Sequence, residues 1–249
     1  MTDQNPAGGE TPAPVPVTDL VPTSDEAVAT PPTRLWDRMK ADPQYAPEHL
    51  AREAVRRLGP EAKAWVERIR AQRPGITADR MAELAARRFI NRARISGAAS
   101  GAAGLPGAVL DVGVLAWTQA RMVLHIAACY GHDPAHPDRA IDLLVLQRVH
   151  RVAETARLAL GVAAGRERAA VLFNRPTAPL PRVVLLLGVR LAKMAGVRAV
   201  KRMVAKVVPG AAMVLGTWAN SSSTRDLARR AQTLYRQRAS DAASVDQAS

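Results

Sequence analysis

ISGAASGAAGLPGAVLDVGVLAWTQARMVLHIAACYGHD, residues 95–133, decides how the chain folds. It opens on small residues at close spacing (Gly97, Ala98, Ala99, Gly101, Ala102, Ala103, Gly104) and breaks at Leu105-Pro106-Gly107. From there it continues as an apolar segment of helix length that carries Asp111, Gln119, Arg121 and His125. Small residues let helix backbones approach closely, as they do in tightly packed bundles. The embedded charges oppose a plain lipid-spanning helix, because each costs roughly 2.5–3.5 kcal/mol near a helix centre on insertion scales. With Asp111 at zero and steps of about 100° per residue, Thr118, His125 and Arg121 fall within about 80° of it. One polar stripe with apolar flanks suits a buried helix whose stripe meets other protein, or a helix pushed partly into lipid.

Working outward, the composition supports an all-α class. Hydrophobic residues make up 48% and aromatics only 4%, with Ala, Val, Leu and Arg dominant, so helix formers abound and strand formers are scarce. The length of 249 residues suffices for one sizeable helical domain, expected over 34–240. The first 33 residues hold five acidic residues, no basic ones and seven prolines, which predicts a disordered acidic tail at 1–33. No signal peptide pattern is visible there. A Ser/Ala/Asp/Gln-rich end at 241–249 is expected to fray. The single cysteine, Cys129, excludes an intramolecular disulfide and fits a reducing compartment.

Turn signals divide the domain into helices. They are expected at 34–40, at 47–58 with Gly59 as its stop, at 61–72 after Pro60, and at 78–93 behind Thr77 as N-cap. Further helices are expected at 105–130, 139–162, 183–207 and 225–238, with a small-residue segment at 211–219. The segment 105–130 has the length to span a bilayer, which takes about 20 predominantly apolar residues, whereas 211–219 is too short.

Specific residues then recur in a familiar order. They are Gly101, Gly104-Leu105-Pro106-Gly107, Asp111, Gln119-Ala120-Arg121 and Tyr130-Gly131-His132-Asp133-Pro134, followed by Val208-Pro209-Gly210, Gly216, Asn220 and Thr224-Arg225. In this order and spacing the chain resembles the EcsC protein family over roughly 45–240; plain Ala211-Ala212 after Pro209-Gly210 is a mild departure. The resemblance implies a helical protein without an assigned catalytic site, often encoded beside an ABC transporter and loosely linked to export. No cofactor is implied.

Two constellations compete with a purely structural reading. His125, Cys129, His132 and His136 have zinc-ligand spacing, but His132 and His136 flank a proline turn, and His125, Cys129 and His136 are not among the motif residues. The expectation is therefore no metal site and a buried structural cysteine. Asp111, Arg121 and His125 could form an acid/base set. Asp111 and Arg121 are about 15 Å apart along a helix, so they cannot pair with each other and are expected to satisfy groups on neighbouring helices. Phosphate-loop, nucleophile-elbow and HExxH patterns are absent.

Charge points to a surface partner. The formal net charge is +13, and 176–210 carries seven basic residues, no acidic one and no aromatic one, which disfavours nucleic acid. Within 189–207, Val189, Ala192, Gly196, Val200, Met203, Val204 and Val207 form an apolar arc. Arg190, Arg198, Lys201, Arg202 and Lys206 oppose it, with Lys193 at the edge. Such a helix fits the surface of an anionic membrane. The leading expectation is a non-enzymatic accessory protein attached peripherally to the cytoplasmic face of the cell membrane, acting with a membrane transporter or a second copy of itself. The alternative is a soluble helical enzyme or metal-binding protein using Asp111, Arg121 and His125.

Overall fold

A computed structural model of the chain describes residues 30–99, 104–172, 180–195 and 211–248. Among them there is no strand; eight α-helices and one 3-10 turn make up the fold. They are α1 (Thr33–Ala41), α2 (Ala46–Gln72), α3 (Ala78–Ala99), α4 (Gly104–Cys129), α5 (Asp138–Leu146), α6 (Ala153–Leu172), α7 (Leu180–Ala195) and α8 (Ala211–Ala248). The turn Pro43–Tyr45 links α1 to α2. The acidic tail read at 1–33 lies outside the described residues as far as residue 29.

α4 is the axis. α2, α3, α7 and α8 all pack against it, and α3 lies along α8. The apolar window Val112–Cys129 has the length and composition to cross a membrane, yet 83% of it is buried inside the protein. Its neighbours supply what lipid would have supplied: Trp117, Met122, Leu124 and Ile126 meet Leu58 and Trp65 of α2, Phe89 of α3 and Leu227 of α8 in one core. Each large side chain so buried contributes roughly 1.5–3 kcal/mol.

Several helix ends follow their sequence signals. Thr77 caps α3, its Oγ1 accepting the Arg80 amide at 3.3 Å. Arg73-Pro74-Gly75-Ile76 makes a tight turn after α2, with Gly75 at φ 88° and the Ile76 amide bonded to the Arg73 carbonyl. At the end of α4, Gly131 adopts φ 83°. The Gly131 and His132 amides return to the Ala128 and Ala127 carbonyls, both at 3.1 Å, in a Schellman closure.

Three expected boundaries are corrected. Gly59-Pro60 does not end a helix: α2 runs unbroken from Ala46 to Gln72 with Pro60 inside it. Pro60 is exposed, so water can take the carbonyl that its missing N–H leaves free. Gly59 faces the α4–α5 connection, where a Cβ would lie 2.7 Å from both the Ala135 Cα and the Pro134 carbonyl. The glycine is there for close approach, not for a stop. The single helix expected at 139–162 is two helices, α5 and α6. Between them Arg148 takes φ 59°, and the Arg148 and Val149 amides bond the Val145 and Leu144 carbonyls at 2.9 Å. This is again a Schellman closure, with arginine where glycine is usual. Finally, 211–219 and 225–238 belong to one helix, which continues through the end expected to fray, as far as Ala248. The expected continuation of α7 over 196–207 lies outside the described residues.

Candidate functional site

The polar stripe of α4 faces α2. Arg121, whose side chain is 3% exposed, donates from Nε to both Glu61 carboxylate oxygens at 2.9 Å and from a terminal nitrogen to Oε1. Its guanidinium also lies 5.7 Å over the Phe89 ring. One turn on, fully buried His125 bonds through Nδ1 to the Arg121 carbonyl at 2.8 Å, while Nε2 stands 3.7 Å from Glu61 Oε1. Trp65 and Phe89 flank the imidazole with centroid distances of 5.3 and 5.0 Å. Thr118 turns back to the Val114 carbonyl, and Gln119 donates to Thr224 Oγ1 at 3.3 Å, tying α4 to α8. The stripe is thus occupied by protein. Asp111 enters only as helix backbone; its side chain lies outside the described set, as do those of Gly104, Pro106 and Gly107.

The other motif residues have structural partners. Tyr130 donates to Asp79 Oδ1, and Arg236 bonds that same carboxylate at 2.9 Å, so the end of α4 joins α3 and α8. Burial and the neighbouring Asp79 push the Tyr130 hydroxyl up to about 12. Asp133 closes the turn before α5 by accepting the Ala135 amide at 3.0 Å. Thr224 is buried, whereas Arg225 beside it is exposed. Gly101, Pro209 and Gly210 lie outside the described residues.

The four histidine and cysteine candidates separate. His125 is committed to the core, and burial pushes the Cys129 thiol up to about 12 despite the opposing charge of Arg70. His132 donates to the Tyr235 carbonyl at 3.3 Å, and His136 is exposed against Asp138. Among the described residues no group of three or more His, Cys, Asp or Glu is placed to hold a metal ion.

Two buried carboxylate hubs were not anticipated. Asp142 accepts hydrogen bonds from two nitrogens of Arg238 at 2.9 and 3.0 Å and from Tyr235 at 3.1 Å, with the Arg139 guanidinium as an ion-pair neighbour at 3.0 Å. Glu53 receives Arg38, Arg56 and Arg57. Burial alone would raise the Glu53 pKa, but hydrogen bonds from Arg56, Arg38 and Arg57 overcome it and hold the carboxyl at about 2. The sequence signals were the one-turn spacings of Arg139 with Asp142, of Tyr235 with Arg238 and of Glu53 with Arg56 and Arg57.

α7 has a different character. Val183, Leu187, Leu191, Ala192 and Met194 are buried, but Leu185, Leu186 and Val189 are 66, 40 and 46% exposed, Lys193 is exposed, and Arg190 is half-buried. Leu185, Val189 and Lys193 recur every fourth residue, so the outward stripe begins apolar and ends cationic. The expected apolar arc is re-phased: Val189 lies on the outer face, while Ala192 is sealed in the core. Arg198, Lys201, Arg202 and Lys206 lie outside the described residues.

Compared with known proteins, no curated protein and no solved structure matches the chain. A family model does: the EcsC protein family, over residues 70–175. Those residues run from the last turn of α2 through α3, α4 and α5 into α6, and include Arg121, Tyr130, Gly131 and Asp133. Over this stretch the chain is similar to the EcsC protein family.

Proposed function

We propose that the protein is a non-enzymatic accessory protein that attaches peripherally to an anionic bilayer, the cytoplasmic face of the cell membrane, through the outer face of α7. One observation carries this reading: three large apolar side chains, Leu185, Leu186 and Val189, stand exposed on one helix face beside Arg190 and Lys193. An interfacial helix needs that pairing of apolar and cationic groups. In sequence the basic run continues through Arg198, Lys201, Arg202 and Lys206 with no acidic residue, and the whole chain carries +13. Each well-placed cation contributes roughly 1 kcal/mol at an anionic surface. The polar core favours a structural role, since Arg121 is engaged with Glu61 and His125 with backbone. The resemblance suggests an ABC-type transporter or export machinery as partner, and a second copy of the chain is the other candidate.

Co-sedimentation with neutral and anionic vesicles tests the proposal. Wild type should pellet with anionic vesicles only. Arg198→Glu/Lys201→Glu/Arg202→Glu should lose recovery by reversing the field, and Leu185→Ser/Val189→Ser should lose it with the charges intact. Equal recovery of all three proteins removes this helix as the contact, and no recovery of wild type removes membrane attachment altogether.

A further inference from the structure

We propose that an open cavity of about 260 Å³ lined by α4, the α5–α6 turn, α7 and α8 binds a small phosphomonoester. Arg148 from the turn, Lys193 from α7 and Arg230 from α8 line it, against one carboxylate, Asp226. Among the described residues neither Arg148 nor Lys193 makes an ion pair. Arg230 spends its Nε on the Leu146 carbonyl at 3.2 Å; burial and the charge of Arg148 both lower its pKa, which an anion between the two guanidiniums would reverse.

Two further observations point to a ligand. Gln147, only 3% exposed, forms part of the wall. Its Nε2 donates to the Ala116 carbonyl at 3.5 Å, but its buried Oε1 accepts no hydrogen bond. A buried acceptor left open is uncommon, and a ligand hydroxyl would fill it once the Gln147 amide turns toward the cavity. Arg148 closes α5 at φ 59°, a conformation that glycine adopts without strain and that Gly131 supplies in the same closure at the end of α4. An arginine kept where glycine is the better cap indicates a side chain with work to do.

The chemistry selects the class. A phosphomonoester carries close to two negative charges at neutral pH and several acceptor oxygens, matching three cations less one carboxylate. Its organic part would offer the hydroxyl to Gln147 and rest on Met194 and Leu227, which also line the cavity. The volume is below that of drug-sized sites, so the ligand is small. Lys193 and Met194 are on α7 but Gln147, Arg148 and Arg230 are not, so an assay without vesicles on variants of the latter reads the site separately from membrane attachment. A soluble glycerol or sugar phosphate and the monoester headgroup of phosphatidic acid share this chemistry.

The test is thermal shift and calorimetry on the full chain with glycerol 3-phosphate, with short-chain phosphatidic acid below its micelle concentration, and with sodium chloride at matched ionic strength. Wild type should gain melting temperature with at least one phosphomonoester beyond the chloride control. A response to glycerol 3-phosphate supports a soluble ester, and a response to the lipid alone supports a headgroup. Arg148→Gly should melt no lower than wild type, because its backbone strain is relieved, yet bind at least tenfold more weakly. Arg230→Gln should also weaken binding. No response beyond chloride, or a response unchanged in Arg148→Gly, overturns the proposal.

Discussion

Arg121 and Glu61 lie sixty residues apart in the chain, and their ion pair fixes α4 against α2. Arg121→Met should destabilise the fold by about 1–3 kcal/mol, because Glu61 loses its partner beside buried His125. Adding Glu61→Gln should cost less than the two single changes together, as a double-mutant cycle of urea melts would show. Full stability of Arg121→Met would contradict the structural role. Glycines give a second contrast. Gly59→Ala drives a Cβ into the backbone at Pro134 and Ala135 and should cost about 1–3 kcal/mol. Gly113→Ala meets the tip of the Trp36 ring, which can move, and should cost less; comparison of the two melting temperatures checks the order. At this scale the residues that shape backbone locally were legible. Thr77, Gly75 and Gly131 act as their types announce. The tertiary partner Glu61 left no local mark, nor did the left-handed Arg148, because nothing in an arginine signals that conformation.

Helix existence was readable from apolar spacing, whereas two joints were not. Gly59-Pro60 has the composition of a stop, yet the packing of Leu58, Ala62 and Trp65 on both sides of it holds α2 continuous. That account makes Pro60 a tolerated cost on an exposed face. Pro60→Ala should therefore restore a backbone hydrogen bond and raise stability by roughly 1–2 kcal/mol, less what the unfolded chain gains in freedom. A lower melting temperature would show that α2 needs the proline. The opposite error, one helix read where α5 and α6 stand, has a tertiary cause as well. Glu48 at the start of α2 accepts His150 at 2.8 Å, and Gln147 reaches the Ala116 carbonyl of α4, so the intervening turn is pinned from two sides. For α4, length and apolarity alone fit a bilayer or a protein core. Its polar stripe was read as meeting either protein or the edge of a bilayer; among the described residues, 83% of Val112–Cys129 is buried by neighbouring helices.

Across the whole molecule, excess positive charge is partly gathered onto buried carboxylates, and this predicts acid lability. The Glu53 carboxyl is held at about 2, below the usual 4.5, and Asp42 and Glu167 are also lowered, Asp42 by the His49 hydrogen bond and Arg166, and Glu167 by Arg38 and Arg52, which outweigh burial. Groups depressed in the folded state contribute fully above their ordinary values and lose that contribution as pH falls, here between about 4.5 and 2. For Glu53 the contribution is at most roughly 3 kcal/mol, reduced by the exposure of Arg56 and Arg57. Melting temperature should therefore drop steeply below pH 4.5, and Glu53→Gln should start lower and fall less. The basic run of 189–207 is plain in the sequence, but the described part of its expected apolar arc is split, with Val189 outward and Ala192 buried because of how α7 seats against α4; residues 196–207 lie outside the described residues. The central claim is that this outer face meets an anionic membrane. The chain's one cysteine, Cys129, is buried, so a polarity-sensitive dye can be placed on Val189→Cys and, as a control, on Gln237→Cys at the exposed far part of α8. On adding anionic vesicles, emission at position 189 should shift to the blue while that at 237 stays in water; no shift at 189, or equal shifts at both, would contradict the account.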